Sequence, residues 1–264
     1  MRRRLDAELV RRRLVGSRTQ AVEAIASGRV LVRGAPALTP ARQVGVDEPI
    51  VVEGPGRRFV SRGGDKLDHA LASFGIEVRG RRCLDAGAST GGFTDCLLQR
   101  DAATVVAVDV GHGQLAWQLR ADDRVTVLER TNVRDLDAQA FGGPVSLLVG
   151  DLSFTSLRSV APAFARLTTD DAELVLLVKP QFEAGRARVG KGGIVRDPDV
   201  HLDVLRDVVE GLSRDGIVVT DVVASPIRGA DGNVEFLARA TKHGQRVDDA
   251  RLVDAVDTAH QDRS

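Results

Sequence analysis

The sequence predicts an α/β protein: a Rossmann-like, mostly parallel sheet preceded by a small α+β unit. Three observations carry this. Short apolar runs recur between residues 83 and 178, with helical patterns between them, and several stop at a charged or polar residue. Runs of that length, apolar throughout, are strands buried on both faces. The first run lies in Arg82-Cys83-Leu84-Asp85-Ala86-Gly87-Ala88-Ser89-Thr90-Gly91-Gly92-Phe93-Thr94, where a glycine-rich turn then opens a helical pattern. This is how the first strand of a nucleotide-binding sheet turns into its first helix. The first 60 residues differ from the rest, with twelve Arg and no Lys against six acidic residues, so their formal charge is +6 in a chain of net charge zero.

The small unit reads in order. Leu5, Leu9, Val10 and Leu14 fall on one helical face among arginines. Ser17 with Gln20 makes a capping box, and Ala21, Val22, Ala24 and Ile25 form a second stripe that Gly28 can stop. Val30 and Val32 alternate with Arg29 and Arg33 as in a half-buried strand, Gly34 turns the chain, and residues 50–52 give a later strand. So little core suits a docked binding module. Arg4, Arg11, Arg12, Arg13, Arg18, Arg29 and Arg33 offer a phosphate-contacting face, because a planar guanidinium meets phosphate oxygens two at a time. The plainer alternative is that several solvate helix ends. No aromatic residue precedes Phe59, so shape and backbone recognition of a polyanion fits better than base stacking. Gly54-Pro55-Gly56 marks a boundary, and Arg57, Arg58 and Arg62 make the junction basic. The expected division is a binding domain over 1–56, a linker over 57–64, the sheet domain over 65–243 and a peripheral tail over 244–264.

In the large domain, Leu67, Leu71 and Phe74 mark a helix before the first strand. Gly87, Gly91 and Gly92 are spaced four and one apart, which is a poor dinucleotide fingerprint and points to an adenosine-like ligand. The second strand ends at Asp109, the third precedes Asn132-Val133, the fourth ends at Gly150-Asp151, and the fifth ends at Lys179-Pro180. Ligands bind beyond the carboxyl ends of such strands, so Asp109, Asp151 and Lys179 can converge. Asp197-Pro198 caps a long helix. Residues 217–224 and 234–240 read as closing strands, with Glu235 at the start of the last. Residues 185–191 imitate the start of a P-loop, but Gly192 stands where the Mg²⁺-binding hydroxyl belongs, so they read as a mobile basic flap.

Cys83 and Cys96 form no metal-binding cluster and need no disulfide, which suits a reduced, cytoplasmic protein. The arginine-rich start lacks an apolar signal-peptide segment, and no run of eighteen apolar residues predicts a membrane span. A monomer without a metal is expected.

Two resemblances sharpen this. Leu5-Asp6, Leu9-Val10, Arg13-Leu14, Ser17-Arg18, Ala21, Ile25, Gly28, Val30, Val32 and Gly34 resemble the small RNA-binding domain first known from ribosomal protein S-four. The run from Cys83 to Thr94 resembles the S-adenosylmethionine site of the FtsJ-like RNA 2′-O-methyltransferases. The order Lys66, Asp151, Lys179, Glu235 resembles that family's Lys-Asp-Lys-Glu tetrad. The whole arrangement is similar to the TlyA family of rRNA 2′-O-methyltransferases, whose members are also called hemolysins. The resemblance implies S-adenosylmethionine as cofactor. Gly87, Ser89, Gly91, Gly92 and Phe93 would lie along its methionine side, Asp109 at the ribose, Asn132 and Val133 at the adenine, and Asp85 and Asp151 beside the sulfonium. Lys179 would be general base or alkoxide stabiliser, with Lys66, Asp151 and Glu235 around it. The implied partner is structured rRNA or a ribosomal subunit, methylated at a ribose 2′-hydroxyl, that of cytidine, in the small subunit, the large subunit or both. Other readings are methylation of another RNA such as tRNA, a non-catalytic RNA-binding or ribosome-assembly protein, and a pore-forming hemolysin.

Overall fold

The computed structural model describes residues 2–54, 58–229 and 232–261, with Arg186 by its backbone alone. The expected RNA contact Arg57 lies outside the described residues, as do Ala230 and Asp231 of the loop before Glu235. The chain divides into two compact units, Met1–Arg57 and Arg58–Ser264.

In the first unit, β1 (Arg2–Arg4) leads into α1 (Leu5–Arg11) and α2 (Arg18–Ala26). Three strands follow, β2 (Val30–Val32), β3 (Ala35–Pro36) and β4 (Gln43–Gly45), and β5 (Ile50–Val52) closes the unit. β2 lies between β3 and β5, antiparallel to both, while β1 pairs antiparallel with β4. Half of the expected capping box forms on α2: Ser17 Oγ accepts from the Gln20 amide at 3.2 Å, whereas Gln20 Oε1 accepts from the Gly16 amide, one residue before the cap, at 2.7 Å. Leu5, Leu9, Ala21, Ile25, Val30 and Val32 make the core. The strand of three arginines was not foreseeable from hydrophobic alternation. β4 recruits its backbone, and the side chains stay exposed.

The second unit begins with α3 (Arg62–Ser73), β6 (Arg82–Ala86), α4 (Gly92–Gln99), β7 (Thr104–Val108), α5 (Trp117–Arg120) and β8 (Val125–Leu128). It continues through β9 (Val145–Gly150), α6 (Ala161–Leu167), β10 (Thr168–Val178), α7 (Pro180–Glu183) and α8 (Pro198–Ser213), and ends with β11 (Val218–Ala224), β12 (Phe236–Thr241) and α9 (Asp249–Gln261). The sheet order is β11-β12-β10-β9-β6-β7-β8, with β12 antiparallel to both of its neighbours and the remaining pairs parallel. Order reverses between β6 and β9, which opens a crevice at their carboxyl ends. Strand periodicity splits the core in two. Leu84, Val106, Leu148, Leu174 and Leu176 face one side with Phe164 and α8, while Cys83, Val105, Leu147, Val175 and Leu177 face the other with α3 and α4. Asp197 caps α8 by accepting from the Asp199 amide, with Pro198 at its first position.

Two segments differ from their sequence reading. Phe59, expected in a linker, is buried in the core beside α3, and α3 starts at Arg62. Gly64 makes room for it: a Cβ there would come within 2.2 Å of the Phe59 ring. The C-terminal segment is not peripheral, because Leu252, Ala255 and Val256 of α9 join the core with α8 and β11. Three apolar residues at helical spacing sufficed to dock a helix whose polar face hid them.

Candidate functional site

Strand register assembles the site. Ala86 lies opposite both Val108 and Gly150, and Gly150 lies opposite Leu176. Val178 pairs with Phe236. The next residues, Gly87, Asp109, Asp151 and Lys179, therefore emerge along one sheet edge, and Glu235 meets them from the start of β12. Gly87 has φ +88°, and a Cβ on it would stand 2.4 Å from the Asp151 carbonyl oxygen. Glycine is what lets these two chains touch.

A cavity of about 500 Å³ opens there, and its lining includes Gly87, Ser89, Asp109, Asn132, Val133 and Asp151. The Asp109 carboxylate is held by two backbone amides, Ser89 N–H to Oδ2 at 2.8 Å and Gly111 N–H to Oδ1 at 2.6 Å. Its remaining lone pairs can accept only from donors such as hydroxyls. Asn132 Oδ1 accepts from the Arg134 amide, which fixes the turn that brings Val133 to the cavity wall. Asp85, Gly91, Gly92 and Phe93, expected at the cofactor, do not line this cavity. Gly91 adopts φ +97° before α4, and Gly92 and Phe93 pack against the start of α3. Asp85 lies beneath, fully buried: Oδ2 accepts from Thr94 Oγ1 at 2.7 Å, and Oδ1 has no hydrogen-bond partner. Burial, with the Asp151 and Asp109 charges close by, pushes its carboxyl up to about 7 despite the Thr94 bond.

The four charged residues form two pairs. Lys66, on the buried face of α3, makes an ion pair and hydrogen bond with Glu235, both almost wholly buried. Lys179 Nζ lies 2.5 Å from Asp151 Oδ1, an ion pair without hydrogen-bond angles, and donates to Ser153 Oγ at 3.1 Å. The ammonium also stands 5.9 Å from the Phe182 ring centroid. Sequence reading missed Ser153, Phe154, Gln114 and Arg134, which line the same cavity. Phe154 carries the clearest signal: it is 91 % exposed and sits at φ +61°. That conformation is an outlier for a bulky side chain, and such outliers gather at functional sites. Its ring lies 5.2 Å from that of Phe182. A second hollow, of about 470 Å³, is lined by Phe154, Thr155, Gln181, Phe182, Gly185 and Val189.

The chain is covered by two family matches: FtsJ-like methyltransferase over residues 59–242 and S4 domain over residues 3–50. Over 260 residues it is 52 % identical to the 16S/23S rRNA (cytidine-2′-O)-methyltransferase TlyA of Mycobacterium tuberculosis, covering 98 % of this chain and 97 % of that protein. It belongs to the TlyA family of FtsJ-like methyltransferases. Hemolysin A of Brachyspira hyodysenteriae is another relative, 40 % identical over 236 residues, which are 89 % of this chain and 98 % of that one. A solved structure from Streptococcus thermophilus, described as a hemolysin, superposes with a TM-score of 0.80 at 39 % identity, covering 98 % of this chain and 96 % of the other. Among the described residues of this TlyA-family chain, no helix is long and apolar enough to cross a membrane. No group of His, Cys, Asp and Glu among them could hold a metal ion.

In the TlyA-family N-terminal unit, buried carboxylates organise the arginines. Asp6 holds Arg4 and Arg18, Glu8 holds Arg11 and Arg12, and Glu48 holds Arg33. Paired arginines keep the Asp6 and Glu8 carboxyls well below the usual carboxylate range. Arg12 is a correction to the proposed phosphate face. Its guanidinium donates to the Glu48, Gly45 and Val46 carbonyls as well as to Glu8, so it ties α1 to the turn after β4. Arg13 is exposed, Arg29 half-buried. In the large unit, Arg58 is drawn onto Asp68 and over the Phe59 ring, while Arg62 is exposed.

Proposed function

We propose that the chain transfers a methyl group from S-adenosylmethionine to rRNA, and that the accepting atom is a cytidine 2′-hydroxyl. The observation that carries this is Lys179. Its ammonium stands at a strand end beside Asp151 and Ser153 of the first cavity and Phe182 of the second. The relative from Mycobacterium tuberculosis, matched along nearly its whole length, is named for that chemistry.

The first cavity suits the cofactor. Asp109 presents a fixed acceptor for ribose hydroxyls, Val108, Val110 and Val133 supply apolar wall, and Gly87 permits close approach. Asp151 places a carboxylate on the cavity wall, where it can face a cationic donor. When bound, S-adenosylmethionine supplies an electrophilic methyl group on sulfur.

The chain's own residues supply position and proton transfer. For the step, the Lys179 ammonium first gives a proton to solvent; the amine then takes the hydroxyl proton at Nζ, and Asp151 balances the ammonium that re-forms. Ser153 fixes the direction of Nζ. Lys66 and Glu235 neutralise one another, so they order the strand end without adding net charge. Phe154 and Phe182 offer ring faces to an unstacked base. Holding hydroxyl and methyl in line contributes much of the acceleration.

The test is incubation with tritium-labelled S-adenosylmethionine and purified ribosomal subunits, naked rRNA or tRNA, followed by mapping of the label. Label in 2′-O-methylcytidine of rRNA supports the proposal. Label confined to tRNA, or cofactor binding without transfer to any RNA, contradicts it.

A further inference from the structure

The segment between α7 and α8 walls the second hollow through Gly185 and Val189 and exposes Lys191. Its glycines argue for a loose flap. Its root is not loose. Val195 is buried, and side chains hold both of its backbone groups: its N–H donates to Asn233 Oδ1 at 3.0 Å, and its carbonyl accepts from His201 Nε2 at 3.2 Å. Asn233 Nδ2 also donates to the Gly193 carbonyl at 3.0 Å. A carbonyl can only accept, so His201 carries its proton on Nε2. Its Nδ1 lies 3.0 Å from His260 Nε2 on α9. Asn233 and His201 are almost wholly buried. Buried amide and imidazole groups are costly unless bonded, and much of this bonding is spent on one loop root. Asn233 lies two residues before Glu235.

We propose that Asn233 and His201 are positioning residues. They hang the 185–196 loop beside the strand end that carries Glu235, so that the loop forms a set wall for the RNA strand presenting the reacting hydroxyl. The Val195 carbonyl sets the His201 protonation that this requires. The assignment deepens the RNA-methyltransferase reading and rests on it.

The test uses the full chain and two readouts, tryptic cleavage at Lys191 and Arg196 and steady-state methyl transfer to rRNA. Asn233→Ala and His201→Ala should each speed cleavage about tenfold and raise KM for RNA about fivefold to tenfold, the loss of one or two hydrogen bonds. Affinity for S-adenosylmethionine should stay within about twofold, since neither residue lines its cavity. His201→Gln places an amide N–H where Nε2 stood and should restore protection and KM, whereas His201→Asn should not. If Asn233→Ala fails to fold, the two His201 variants decide. Folded variants with unaltered cleavage and KM, or rescue by His201→Asn instead of His201→Gln, would overturn the assignment. Absence of transfer by the unmodified protein would overturn the methyltransferase reading instead.

Discussion

At the scale of single residues, Asp85 makes the sharpest physical demand. It is fully buried, one oxygen lacks a partner, and burial raises its carboxyl from 3.8 to about 7. Between those values the folded chain keeps a proton that the unfolded chain has released. Stability therefore falls as pH rises through that window and levels off above it. Asp85→Asn keeps an acceptor for Thr94 and removes the cost of ionisation. It should raise the melting temperature at pH 8 and change it little at pH 4, as thermal denaturation across that range would register. An equal shift at both pH values would mean that Asp85 is not held this way. Burial likewise pushes the Cys83 and Cys96 thiols up to about 12, and the two form no disulfide.

At the scale of elements, the turn from β6 into α4 joins two adjacent strand ends. Gly87→Ala would force a left-handed φ on alanine and press its Cβ onto the Asp151 carbonyl. The strain is about 1–3 kcal/mol. The variant should bind S-adenosylmethionine about tenfold more weakly by calorimetry, with part of the strain appearing as lost stability. This turn and the strand ends were legible because buried strands read as apolar runs, so Asp109, Asp151 and Lys179 stood out where those runs stop. Lining was not legible. Gly91, Gly92 and Phe93 belong to the same motif as Gly87, yet Gly92 and Phe93 pack α4 against the start of α3 and Gly91 faces Leu115 and Leu119, a distinction that depends on which way each residue faces. Phe154 escaped notice because its positive φ is a backbone property. The C-terminal helix itself was legible, but the docking of α9 escaped because its few buried residues are diluted by charged ones.

At the scale of the whole molecule, an arginine-rich unit with its own core precedes a methyltransferase unit with two. Removal of residues 1–57 should leave cofactor affinity within about twofold and weaken rRNA binding at least tenfold, while flattening its dependence on salt as phosphate contacts are lost. Equal loss of both affinities in filter binding would make the first unit a structural support instead. Buried Asp6 and Glu8 bear on that face too, since each fixes more than one guanidinium and leaves its cluster net positive.

The central claim is that Lys179 handles the proton of the accepting hydroxyl. The most direct measurement is single-turnover methyl transfer to rRNA by Lys179→Ala, with S-adenosylmethionine and RNA affinities measured on the same preparation. The account predicts a rate at least about a hundredfold lower with both affinities retained. Transfer by Lys179→Ala at the unmodified rate would contradict it.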